Sequence, residues 1–134
     1  NWSITSLRYF NPIGAHSSGL FGESPVNTPN NLFPYICEVG NNRREVLSIF
    51  GNDWPTRDGT CIRDYIHIMD LAESHYLALM HLINNKPQIL NLNIGTGIGT
   101  SVKELVNIFE SVNKCNIPFR RLYKYTRNEL GLFV

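Results

Sequence analysis

Strand-length apolar runs alternate with helix-length amphipathic stretches along this chain, and that alternation restricts it to an α/β arrangement. Ser3 to Phe10, rich in Ile, Leu, Tyr and Phe and ended by Asn11-Pro12, reads as a strand that needs neighbours to pair with. Asn11 to Asn30 is rich in Pro, Gly, Ser and Asn and reads as one long loop, of the kind that is usually functional or disordered. Asn30 or Asn31 then caps a helix to about Val39, with Leu32, Ile36 and Val39 on one face, Pro34 in the first turn and Gly40 as the stop. Glu45 to Phe50 and Cys61 to Ile68 read as strands, separated by the turn formers Gly51-Asn52-Asp53-Trp54-Pro55 and Arg57-Asp58-Gly59. Asp70 and Glu73 make a capping-box-like opening for a helix to about Ile83, apolar over most of its circumference, which implies burial. Ile89 to Ile94 is a short strand. Ser101 with Glu104 forms a second capping box, for a helix with Val102, Leu105, Val106, Phe109 and Val112 on one face, and Ile117 to Tyr123 reads as a last strand.

The chain's 134 residues, 43% of them hydrophobic, suffice for one domain's core. Twelve Lys+Arg against 11 Asp+Glu leave a net charge of +1, so nothing favours nucleic acid or an anionic membrane. Any anion must be held by a few placed residues. No apolar run approaches the ~18 residues of a membrane span, so no membrane partner is expected. The start at Asn1-Trp2-Ser3 lacks a Met and a basic leader, and the end at Leu130 to Val134 is apolar, so the chain is expected to be cut from a longer one. Cys37, Cys61 and Cys115 are widely spaced and read as reduced thiols of a cytoplasmic protein. The four histidines show no metal-ligand spacing, and no metal site is expected. His67, between Ile66 and Ile68, reads as a half-buried, satisfied histidine rather than a general base.

Gly95-Thr96-Gly97-Ile98-Gly99 sits between a strand and a helix, but a G-x-G-x-x-G dinucleotide fingerprint would need glycine where Thr100 stands. These glycines read as a tight turn. G-x-x-G-x-x-G is absent, and no tyrosine has a lysine four residues on. Three features go beyond single-element packing. Asn11 puts an amide at the C-terminal end of a strand, where ligands of open α/β sheets lie. Asn30-Asn31-Leu32 puts amides at a helix N-terminus, whose free N–H groups suit a phosphate. Arg63, a lone cation before Asp64-Tyr65-Ile66-His67, could clamp the same phosphate bidentately.

In order along the chain, Leu7-Arg8-Tyr9-Phe10-Asn11-Pro12-Ile13-Gly14-Ala15-His16, Pro29-Asn30-Asn31-Leu32-Phe33-Pro34-Tyr35-Ile36, Ile49-Phe50-Gly51-Asn52-Asp53-Trp54-Pro55-Thr56, Ile62-Arg63-Asp64-Tyr65-Ile66-His67 and Asn93-Ile94-Gly95-Thr96-Gly97 resemble the C-terminal part of the UDP-glucose 4-epimerases. These belong to the extended short-chain dehydrogenase/reductases, and the likeness runs to about Phe119. It implies the last part of an NAD-binding Rossmann sheet, with residues 1–12 contributing a strand, plus most of a small α/β substrate-binding domain. The family's reaction inverts C4 of UDP-glucose and UDP-galactose through a 4-keto sugar, with NAD as cofactor and a Y-x-x-x-K pair as acid–base, in a cytoplasmic homodimer. By resemblance, Phe10 touches the nicotinamide through its backbone. Asn11, Asn31 and Leu32 lie near the diphosphate and sugar, Ser48, Ile49 and Phe50 lie by the uracil, and Arg63 lies on the diphosphate.

The catalytic Tyr/Lys pair and the cofactor loop fall outside this chain, and so does the homodimer contact, so the chain alone is expected to be inactive. The family's Arg-x-Gly-Asp step, which completes the diphosphate clamp, has Arg127 as its counterpart here, followed by Asn128-Glu129-Leu130. Two other readings stay open: a free-standing UDP-sugar-binding module, and a related nucleotide-sugar epimerase or dehydratase for UDP-N-acetylhexosamines or UDP-pentoses.

Overall fold

The computed structural model describes residues 2–122. The chain divides into two units, one formed by the residues up to Ser24 with Asp64–Gly99, the other by Pro25–Arg63 with the residues from Thr100 on. Arg127 lies outside the described residues.

In the first unit, β1 (Ile4–Tyr9) pairs in parallel with β5 (Ile89–Ile94), in a register running from Ile4 opposite Ile89 to Tyr9 opposite Ile94. Phe10 then takes the chain out of this sheet, its N–H donating to the Ile94 carbonyl at 3.0 Å. The expected long loop instead opens with a strand, β2 (Asn11–Ile13), which sets Asn11 opposite Tyr65, Pro12 opposite Ile66 and Ile13 opposite His67. Pro12 masked it in the sequence, yet an edge strand tolerates a residue with no N–H.

The strand β4 (Ile62–His67) runs straight into α2 (Ile68–Asn84). That helix starts before the expected Asp70, because the His67 ring already caps it: Nδ1 accepts from the Met69 N–H at 3.2 Å. His67 is therefore exposed and satisfied, not half-buried. The expected burial of α2 is also corrected. Leu71 and Ala78 are buried, but Tyr76, Leu77, Leu79 and Ile83 are each more than half exposed. One face of α2 packs on β1, where the Tyr9 hydroxyl and His75 Nε2 lie 2.8 Å apart. His75 Nδ1 lies 2.8 Å from the Leu71 carbonyl, which can only accept, so Nδ1 carries the proton and Nε2 accepts from Tyr9.

In the second unit, α1 (Leu32–Gly40) packs on β3 (Leu47–Phe50), which pairs in parallel with β7 (Phe119–Leu122). Ile36, Val39, Leu47, Ile49, Leu105, Val106 and Ile117 form its buried core. Gly40 is the last helical residue of α1, and its lack of a side chain has a packing reason: a β-carbon there would lie 2.9 Å from the Phe109 ring on α3 (Val102–Asn113). The short β6 (Gly99–Ser101) leads into α3, whose capping box of Ser101 and Glu104 is formed as the spacing expects.

Candidate functional site

Asn31 occupies the N-cap of α1 in extended conformation, and its side chain makes no capping hydrogen bond. No acidic residue stands in the first turn either. The positive end of the helix dipole thus keeps its N–H donors from being answered by its own cap, the electrostatic setting that suits an oxyanion. Leu32 is the first helical residue.

On β3, side chains alternate: Leu47 and Ile49 are 1% and 2% exposed, whereas Phe50 is 44% exposed. Ser48 shares the outward side with Phe50. Its hydroxyl accepts from the Arg120 Nε–H at 3.2 Å, across the register that pairs Ser48 with Arg120. Arg63 lies on β4, its Nη1 donating to the Ile62 carbonyl at 2.9 Å and touching the Cys61 sulfur. Asn31, Leu32, Ser48, Ile49, Phe50 and Arg63 all belong to the second unit, and Phe10 and Asn11 to the first.

In the first unit, Phe10 and Asn11 follow the C-terminal end of β1, and a neighbour unnoticed in the sequence governs their surroundings. The Asp64 carboxylate accepts from the Thr96 N–H at 2.9 Å, the Thr96 hydroxyl at 2.7 Å and the Gly97 N–H at 2.8 Å. Burial pushes this carboxyl up, but the Thr96 and Gly97 hydrogen bonds outweigh it and hold it below its ordinary value. A β-carbon at Gly95 would lie 2.1 Å from the Phe10 ring and 2.6 Å from Asp64 Oδ2. Phe10 is thus seated on a glycine that cannot carry a side chain, on a turn that Asp64 ties down. The Gly-rich run that fails as a dinucleotide fingerprint is this turn.

The α3 N-terminus is satisfied by its own unit. The Val102 N–H donates to the Cys61 carbonyl at 3.0 Å, the Lys103 N–H to the Thr60 hydroxyl at 3.3 Å and the Glu104 N–H to the Ser101 hydroxyl at 3.1 Å. Asp58 accepts from Ser101 Oγ and from the N–H and hydroxyl of Thr60. Here too burial pushes the carboxyl up, and the Ser101 and Thr60 hydrogen bonds, helped by Lys103, hold it below its ordinary value. Arg57 pairs with Glu104 beside it.

The sequence profile of the NAD dependent epimerase/dehydratase family matches residues 1–95. This chain belongs to that family. A UDP-glucose 4-epimerase of Bacillus subtilis is 52% identical over 119 residues, 89% of this chain and 35% of that protein. UDP-glucose 4-epimerase 4 of Oryza sativa is 55% identical over 117 residues, 87% of this chain and 32% of the relative. Among solved structures, the Stenotrophomonas maltophila UDP-glucose-4-epimerase with bound NAD and formylated UDP-arabinopyranose superposes with a TM-score of 0.89 at 47% identity, covering 92% of this chain and 36% of that one. The Bifidobacterium longum enzyme in complex with NAD+ and UDP gives 0.86 at 41% identity, over 92% and 36% of the two chains. The chain thus spans about a third of the length of these relatives. The parallel α/β fold expected from the sequence is the fold of these neighbours.

An NAD-dependent family raises the question of where the cofactor's pyrophosphate would rest. The residues described do not fit it. The one helix that follows a Gly-rich turn, α3, has its first N–H groups taken by Cys61, Thr60 and Ser101. The Phe10 N–H is committed to Ile94.

Proposed function

We propose that this chain forms the UDP-sugar-binding part of a UDP-glucose 4-epimerase, which interconverts UDP-glucose and UDP-galactose with NAD as cofactor. The observation that carries the reading is the α1 N-terminus, left unanswered by the Asn31 side chain, in a chain 52% identical to a UDP-glucose 4-epimerase. In this reading Asn31 and Leu32 meet the diphosphate and sugar at the helix terminus and Arg63 adds the guanidinium that pairs with the diphosphate. Ser48 to Phe50 form the uracil seat, with Phe50 as the stacking ring. Asn11 faces the sugar, and Phe10 meets the nicotinamide through its backbone. Arg127 completes the diphosphate clamp. The acid–base pair and the cofactor's phosphate cradle belong to the remainder of the enzyme.

Calorimetric titration of the 134-residue chain with UDP tests the binding part. Binding is expected, and Arg63→Ala should weaken it about tenfold or more, since a hydrogen bond to a charged group is worth about 1.5–3 kcal/mol. A flat titration overturns the reading. The chain mixed with NAD and UDP-galactose is expected to form no UDP-glucose; turnover would overturn its assignment as a binding part.

One observation favours a pentose variant of the reading: the Stenotrophomonas relative was solved with a formylated UDP-arabinopyranose. Competition of UDP-arabinopyranose against UDP-glucose on the same chain separates the two. The reading brings with it a cytoplasmic homodimer whose contact lies in the remainder of the enzyme. No helix of the described residues is long and apolar enough to cross a membrane.

A further inference from the structure

The outward face of the β3–β7 ribbon holds a residue that the resemblance does not assign. Registered partners of a parallel pair project to the same side, so Ser48, Phe50, Arg120 and Leu122 share one face, opposite the buried Leu47 and Ile49. The Nε–H of Arg120 donates to Ser48 Oγ at 3.2 Å. That bond uses one of the five guanidinium donors and leaves both Nη groups for another acceptor. Among the described residues, no carboxylate pairs with Arg120. An aromatic residue and a donor-only group on one face of a ribbon are equipment for seating a base and reading its edge.

We infer that Arg120 is a specificity-determining residue of the UDP site, its Nη groups donating to O4 of a uracil seated at Phe50. The inference rests on the UDP-binding reading above. A donor placed at uracil O4, which accepts, is mismatched with cytosine, whose N4 amino group donates at that position. The phosphates play no part in the discrimination, because α1 and Arg63 would meet those of UDP and CDP alike.

The test is calorimetry of the 134-residue chain with UDP and with CDP, in the wild type, Arg120→Met, Arg120→Lys and Ser48→Ala. Methionine keeps an unbranched apolar stem, and far-UV circular dichroism checks the fold of each variant. Arg120→Met is expected to weaken UDP about tenfold, the size of one good base-edge contact, while CDP affinity stays within about twofold, so the preference for UDP collapses. Ser48→Ala, which removes the oxygen that orients the guanidinium, should lose part of the preference, and Arg120→Lys should recover part of it. Arg63→Ala should weaken both nucleotides by the same factor. Unchanged UDP affinity in Arg120→Met overturns the inference, as does an equal loss for UDP and CDP, which would make Arg120 a phosphate contact. If Arg120→Met does not fold, unchanged preference in Ser48→Ala overturns it. A wild-type chain that binds no UDP overturns the underlying reading, and this is seen before any substitution is made.

Discussion

At Gly95 an added methyl group would meet the Phe10 ring at 2.1 Å and the Asp64 carboxylate at 2.6 Å, neither of them the loose end of a flexible side chain. Gly95→Ala should therefore displace Phe10 from the end of β1 and destabilise the chain by about 1–3 kcal/mol, as overpacking does, read by urea denaturation. An unchanged midpoint would show that the Phe10 ring swings aside freely. Asp58 and Asp64 make a prediction of a different kind. Both carboxyls are held below their ordinary value of 3.8 in the folded chain, so the unfolded chain takes up these protons first as pH falls. Their stabilisation is complete above the ordinary carboxylate range and is lost as pH drops through the lowered folded values. The stability gap between wild type and Asp58→Asn should accordingly be widest near neutral pH and close under strong acid; a gap that stays constant would rule the carboxylate out as its source. Neither aspartate stood out in the sequence as an anchor, because Asp58 reaches Ser101 across 43 residues and Asp64 reaches Thr96 across 32.

Two helices of one unit handle their N-termini in opposite ways. The α3 terminus is closed by Ser101, Glu104 and Thr60, whereas the cap residue of α1 contributes no side-chain bond. Ser101→Ala should cost about 1–2 kcal/mol by thermal or chemical denaturation, since it removes both the cap and the hydroxyl that bonds Asp58. Asn31→Ala should change stability by less than about 0.5 kcal/mol, as at surface sites without such a bond, yet weaken UDP binding in the same titration. If Asn31→Ala unfolds the helix and Ser101→Ala does not, the two termini have been read the wrong way round. The caps also show what spacing can and cannot reveal. Ser101 and Glu104 sit three apart and form the box that this spacing expects. Asp70 and Glu73 share the spacing, but β4 runs into α2 without a loop and the His67 ring takes the cap first.

Over the whole molecule, much apolar surface lies uncovered by the described residues: Trp2, Ile4 and Ile89 around the β1–β5 pair, and Tyr76, Leu77, Leu79 and Ile83 on α2. Parallel sheets are ordinarily covered on both faces, and two strands alone are marginal in water. The isolated chain is therefore expected to self-associate and to bind hydrophobic dyes. Leu77→Lys with Ile83→Lys should reduce light scattering without lowering the unfolding midpoint, because neither side chain is buried. A lowered midpoint would show that this face is packed. The sequence by itself determined the α/β class, the existence of β1, α1, β3, β4, α2, β5, α3 and β7 and the capping box, since periods of 2 and 3.6 and caps three residues apart are legible within a short window. The site candidates came from a local helix-terminus and arginine argument together with a resemblance of long strings. Only the tertiary structure decided that Pro12 lies in an edge strand, that Gly95 seats Phe10 under the hand of Asp64, that α2 leaves its apolar side open, and that Arg120 meets Ser48 from 72 residues away. Those facts depend on which distant segments the parallel pairings bring side by side, and no window along the chain contains both partners.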